Sequence, residues 1–132
     1  PVSSLDVFAT AAVLADANVP IGHRLEGVDI LPYLGGQRAG APHERLFWRA
    51  GGGARFAVRE GDWKLVGGES GGSQLFNLAA DTGETSDLAA VRPEVLARLR
   101  QAYADWNKDN VSPLFESPRP NRPKAAKTRG KS

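Results

Sequence analysis

Two runs near the middle of the chain, Phe56-Ala57-Val58-Arg59 and Trp63-Lys64-Leu65-Val66, alternate large apolar residues with small or charged ones. A period of two puts one strand face in a core and the other in water, so Phe56, Val58, Trp63 and Leu65 are expected on one buried face. Glu60-Gly61-Asp62 separates the runs, and Gly61 can take the positive φ that a tight hairpin demands. Arg45-Leu46-Phe47-Trp48-Arg49 precedes the hairpin across Ala50-Gly51-Gly52-Gly53, and Gln74-Leu75-Phe76-Asn77-Leu78 follows it across a second loop rich in Gly and Ser. Four such runs joined by turn residues predict a four-stranded antiparallel meander.

Helical patterns flank the strands. Ser3 or Ser4 is placed to cap a helix through its hydroxyl, with Asp6 in the first turn where a carboxylate complements the helix dipole. Leu5, Phe8 and Ala12 form one stripe and Val7 and Leu14 another, so the helix from Leu5 to Ala15 is apolar on two sides and needs cover from two directions. Pro20 and Gly22 end that segment, Ile30-Leu31-Pro32-Tyr33-Leu34 predicts one helical turn stopped by Gly35-Gly36, and 35–42 reads as a surface loop. After the strands, the Asp81 side chain is expected to close a turn over Asp81-Thr82-Gly83-Glu84, and Ser86 or Asp87 to cap one helical turn. Pro93 suits the first position of a helix whose Leu96, Leu99, Tyr103 and Trp106 face the sheet, and which fades near Asn110. The expected fold class is α+β: a four-stranded antiparallel sheet packed against a C-terminal helix, with an additional N-terminal helix. The expected divisions are 1–42 for the N-terminal helix and loops, 43–110 for the sheet and C-terminal helix, and 111–132 for a Pro-rich basic tail without regular structure.

The strand residues also carry a resemblance. Ala57-Val58-Arg59-Glu60-Gly61-Asp62-Trp63-Lys64-Leu65 is similar to the Ala-Val-Arg-x-Gly-x-Trp-Lys-Leu pattern in the C-terminal part of arylsulfatase-type sulfatases. The stretch from Leu75-Phe76-Asn77-Leu78 through Asp81, Glu84 and Asp87-Leu88 resembles that family's Leu-Tyr-Asp-Leu-x-x-Asp-Pro-x-Glu-x-x-Asn-Leu, with conservative departures at Phe76, Asn77 and Asp87. Upstream, Ser3-Ser4-Leu5-Asp6-Val7-Phe8-Ala9-Thr10 resembles the family's helix opening, where Pro usually stands at the place of Ala9. Leu25-Glu26-Gly27-Val28-Asp29-Ile30-Leu31-Pro32-Tyr33-Leu34-Gly35-Gly36 resembles the segment after it. Ordered agreement over roughly residues 3 to 108 is more specific than any one motif.

The resemblance implies the small second domain of the alkaline-phosphatase-like sulfatase fold. Sulfatases cleave sulfate esters with a formylglycine made from Cys or Ser in a motif like Cys-x-Pro-Ser-Arg, hold calcium with Asp and Asn, and position the sulfate with Lys, His and Arg. None of those motifs occurs in this chain, so no catalytic or metal-binding residue is carried over. Calcium and formylglycine are expected in a catalytic domain outside it, and the chain alone is expected to be inactive. The leading reading is therefore the C-terminal subdomain of a sulfuric ester hydrolase, supporting the catalytic domain and forming part of the substrate-pocket wall. The alternative is a stand-alone α+β interaction module without catalysis.

A chain of 132 residues has room for one domain with a modest core. No apolar run is long enough to span a bilayer, and the first twenty residues lack the basic start and apolar block of a secretory signal. The absence of cysteine excludes disulfides, thiolate metal sites and a Cys nucleophile. The net charge of +2 is unevenly spread: six basic and no acidic residues follow Ser117, leaving eleven basic against fifteen acidic before it. The tail, with no interleaved aromatics, reads as solvated and mobile from Ser117 to Ser132, and nucleic acid and membrane are not the expected partners.

His23 and His43 have no partner at ligand spacing and are read as surface or loop histidines. Ser3-Ser4 and the aspartates form no recognisable nucleophile and base. Arg49, Arg55, Arg59 and Lys64 have solvated strand positions as their default. In family members, however, this domain lies beside the active-site cleft. The resemblance thus makes Arg49 and Arg55, which flank a glycine-rich loop, candidate substrate-binding residues, with Arg59 and Lys64 ranked behind them. Expected partners are the catalytic domain, a sulfate ester in the intact enzyme, and a second copy paired through the two-sided helix.

Overall fold

The computed structural model describes residues 1–18, 25–68 and 72–112. The expectations for Pro20, Gly22, His23 and the tail from Ser117 lie outside the described residues. Strands β1 (Arg45–Ala50), β2 (Arg55–Glu60), β3 (Trp63–Gly68) and β4 (Gly72–Asn77) form one antiparallel sheet in sequence order, as the alternation predicts. Glu60 stands opposite Trp63, so the hairpin turns through Gly61-Asp62, and Gly61 has a φ of 56°. That conformation is readily open to glycine and resisted by residues bearing a Cβ.

The register defines two faces. Phe47, Val58, Leu65 and Leu75 are neighbours across the strands and form the central row under helix α3 (Pro93–Asn107). Val58, Leu65, Leu75 and Leu99 are fully buried, and Val95 joins them in the core. Val95 was not among the expected contact residues. The helix sets Val95 and Leu99, four residues apart on one face, into the core, and Leu96 and Tyr103 pack half-buried against it. Phe56 stacks on Tyr103 with ring centroids 3.9 Å apart, and Phe47 stacks on Trp106 at 5.0 Å. Gly67 makes room for this arrangement, since a Cβ there would sit 2.4 Å from the Phe56 ring.

Polar contacts fix the layers. Glu60 accepts from Arg45 of β1 and, at 2.7 Å, from Arg98 of α3. Burial pushes the Glu60 carboxyl up, but these two guanidinium groups hold it below the usual glutamate range. Arg100 donates to Ser73 at 3.1 Å, tying the helix to β4. The outer side of β4 is closed by the following loop. Asp87 accepts from the N–H groups of Leu75 and Ala89, and Leu88 N–H donates to the Leu75 carbonyl at 2.7 Å. Asp87 thus caps the single turn that the Arg92 N–H closes on the Leu88 carbonyl at 2.8 Å, as expected, and also occupies a strand edge. Asp81 closes its turn as expected, accepting from the N–H groups of Thr85 and Ser86.

The N-terminal arm is built differently. Helix α1 (Leu5–Leu14) and the short α2 (Leu31–Leu34) contribute nothing to the core cluster. Ser3 Oγ accepts the Leu5 N–H at 3.3 Å, so Ser3 caps the helix start. Val7, Phe8 and Leu14 remain 68, 63 and 69% exposed, as expected for a helix that is apolar on two sides.

Candidate functional site

One buried carboxylate secures the arm. Asp6 is fully buried and accepts from the N–H groups of Ser3 at 2.7 Å and Val28 at 3.0 Å. His43 Nε2 lies 2.8 and 2.9 Å from its two oxygens. An ionised carboxylate has only acceptors, so Nε2 carries the proton and donates. Burial pushes the Asp6 carboxyl up, but the two N–H groups and the His43 ring together hold it below the usual aspartate range. His43 stands in the loop before β1, as expected, but not at the surface: its side chain is only 11% exposed and clamps α1 to the segment entering β1. Thr10 adds a second link by accepting the Ile30 N–H at 3.2 Å. Between the arm and the sheet lies an open groove of about 580 Å³, bordered by Leu5, Leu25, Val28, Phe47 and Trp106.

The four cationic candidates separate onto the two sheet faces. Arg49 pairs with Phe56 across the strands, on the side covered by α3. Its guanidinium donates to the carbonyls of Gly52 at 2.8 Å and Val111 at 3.2 Å. It therefore ties the glycine loop to the chain beyond α3. Gly51, Gly52 and Gly53 of that loop all have positive φ, which explains the run of three glycines.

Arg55, Arg59 and Lys64 lie on the opposite face. Its middle row is Trp48, Ala57, Val66 and Gln74, flanked on one side by Leu46, Arg59, Lys64 and Phe76 and on the other by Ala50, Arg55, Gly68 and Gly72. Lys64 is paired with Glu84, and Arg59 Nε donates to the Gly61 carbonyl at 3.2 Å. Arg55 is exposed and makes no ion pair among the described residues. Trp48 is 48% exposed and Gln74 is also exposed. The structure thus brings Arg55 and Arg59 together with Trp48 and Gln74, two residues not singled out from the sequence, and sets Arg49 apart. Both omissions share a cause: alternation showed that Trp48 points away from Phe47, but only the cross-strand register shows what it points beside.

This face offers guanidinium groups, an indole and an amide, a set suited to binding an anionic polar ligand. Among the described residues, no group of three or more His, Cys, Asp or Glu side chains converges to hold a metal ion. No described helix is long and apolar enough to cross a membrane.

No protein-family model matches the chain. Human (Homo sapiens) arylsulfatase G is 34% identical over 83% of this chain and 26% of its own length. The uncharacterized sulfatase YdeN of Escherichia coli (strain K12) is 38% identical over 36% of this chain and 8% of its own. Among solved structures, Ps i-CgsB superposes with a TM-score of 0.75 at 28% identity, covering 88% of this chain and 26% of that one. It is also known in complex with k-i-k-neocarrahexaose. The chain spans about a quarter of the length of arylsulfatase G and of Ps i-CgsB. Sequence and fold agree: this chain is related to the sulfatases and fits a sulfatase-type C-terminal domain.

Proposed function

We propose that this chain is the C-terminal subdomain of a sulfuric ester hydrolase, that it buttresses the catalytic domain through α1, and that it lends a wall to the substrate pocket. The observation that carries this reading is the uncovered aliphatic surface of α1 on a chain spanning a quarter of its relatives. Each such side chain gains roughly 1.5 to 3 kcal/mol when fully buried, and a catalytic domain supplies the missing cover. In the wall, Arg55, which makes no ion pair among the described residues, presents its guanidinium to the substrate, while Arg49 braces the glycine loop beside it. The saccharide in the Ps i-CgsB complex supports a carbohydrate as the alcohol part of the ester. Calcium and formylglycine belong to the catalytic domain. The residues described here present no carboxylate cluster for calcium, so no step of the hydrolysis is assigned to them.

The test is the reading frame upstream of Pro1. A formylglycine motif is expected there, and the joined protein is expected to hydrolyse an aryl sulfate in the presence of calcium while the present chain alone does not. An in-frame start with no such motif, or turnover by the folded chain alone, overturns the reading; the first result favours a stand-alone interaction module.

A further inference from the structure

We propose that Pro113-Leu114-Phe115-Glu116 docks in the groove between the arm and the sheet, with the Phe115 ring seated against Trp106 and Leu5. The groove has apolar walls that the described residues cover incompletely. Phe47 and Trp106, stacked on one wall, are half-buried, and Leu5 on the other is 53% exposed. Leu25 and Val28 extend that second wall. A cleft of about 580 Å³ has room for an aromatic side chain, and seating one there removes apolar surface from water on both partners.

The occupant follows from where the described chain leaves off. Arg49 of β1 holds the Val111 carbonyl at 3.2 Å, and Asp109 and Asn110, just before it, line the groove. Phe115 is four residues beyond Val111, a reach of about 13 Å for an extended chain. Phe47 is two residues from Arg49 along the strand, about 7 Å. The segment is therefore long enough to bring Phe115 to the aromatic wall. Pro113 cannot prolong α3 and biases Ser112 toward an extended backbone, so the chain departs from the helix axis there. Leu114 and Phe115 are the only large apolar residues after Val111.

Tethering favours this segment over a separate molecule. A short linker keeps it at an effective concentration of roughly millimolar order, so even a weakly held ring stays seated. Charge points the same way: Glu26 and Asp109 border the groove, and the residues after Glu116 bring Arg119 and Arg122 with no acid. Docking joins the arm to α3 by apolar contact, beside the hydrogen bonds of Asp6 and Thr10. It depends on the groove and the tail alone, and stands or falls apart from the sulfatase reading.

The experiment is NMR on the full chain. The heteronuclear ¹H–¹⁵N NOE of Leu114, Phe115 and Glu116 is expected to match that of α3 and to fall beyond Ser117, with NOE cross-peaks from the Phe115 ring to Trp106 and Leu5. Phe115→Asp is expected to move the Trp106 indole signal and to speed amide exchange across α1 and at Val28 roughly ten-fold. Phe115→Leu is expected to restore most of that protection, and Pro120→Ala to change neither reading. Unaltered exchange at Val58 and Leu65 reports that the variants stay folded. A heteronuclear NOE at 114–116 as low as that of Lys127 overturns the inference, as does a Trp106 signal indifferent to Phe115→Asp. Cross-peaks that arise only between chains, in a mixture of labelled and unlabelled protein, overturn it too, because the ring then belongs to a second copy.

Discussion

Leu65 and Leu99 are sealed between the sheet and α3, whereas Phe8 and Leu14 of α1 stand mostly in solvent, although all four are large apolar residues. The sheet and α3 find their cover within a single stretch from Arg45 to Asn107. The N-terminal arm is held by directional contacts, the Asp6 hydrogen bonds and Thr10, and leaves its apolar surface unpartnered. The contrast teaches that order and self-sufficiency are separate properties. Hydrogen bonds can fix where α1 lies without supplying the burial that would make its position independently stable.

The comparison is broken most directly by deleting matched side chains. Leu99→Ala is expected to lower unfolding stability by about 2 to 5 kcal/mol, read from the denaturant midpoint, because it opens a cavity in a fully buried site. Phe8→Ala, which removes more atoms from α1, is expected to stay within about 0.5 kcal/mol of the parent. Equal losses at the two sites would mean that α1 is part of the core.

Asp6→Ala tests the directional half of the contrast. It leaves the Ser3 and Val28 N–H groups and His43 without their acceptor, at a local cost of about 1 to 3 kcal/mol. Amide exchange is expected to accelerate across α1 and at Val28 while Val58 and Leu65 keep their protection. Acid should do the same more gently. The folded Asp6 pKa lies below 3.8, so its contribution is fully present above about pH 5 and is lost as pH falls through the folded value. Glu60 is depressed in the same sense, but the residues around Val58 and Leu99 are apolar. Exchange between pH 5 and pH 2, corrected for intrinsic rates, is therefore expected to release the arm before the sheet.

The smallest effect on stability is expected from Phe8→Asp, within about 0.5 kcal/mol, yet it bears on association. Light scattering across a concentration series is expected to show self-association of the parent chain, which this substitution reduces. A parent that stays monomeric at high concentration would show that the exposed face of α1 is not sticky enough to pair.

What could be read from the sequence follows from which interactions are local. The hairpin at Gly61, the strand alternation and Pro93 as a helix start are written within a few residues, and the structure repeats them. The Asp6–His43 clamp joins residues thirty-seven apart with no motif linking them, and its histidine looked solitary. Val95 was missed because a stripe of Leu96, Leu99, Tyr103 and Trp106 satisfies helical spacing whether or not Val95 is turned inward. Arg49 and Arg55 flank one loop and so looked like a pair. Their opposite faces are set by how many residues the loop contains and by its positive-φ glycines, and strand alternation does not carry across such a loop.

The loop after β4 has a consequence for assembly. Leu75 directs both its N–H and its carbonyl away from β3, and both are occupied, by Asp87 and by Leu88. A strand arriving from another molecule would have to displace a carboxylate and a backbone bond before it could add there. The N–H bond to Leu75 is also the leading reason the Asp87 carboxyl sits below the usual aspartate range, so the plug is charged at neutral pH. β1, at the far margin, has a strand neighbour on one side only. Growth of this sheet by strand addition is therefore polar: two molecules can join through β1 and stop, but a head-to-tail fibre needs two receptive margins, and Asp87 takes one of them away.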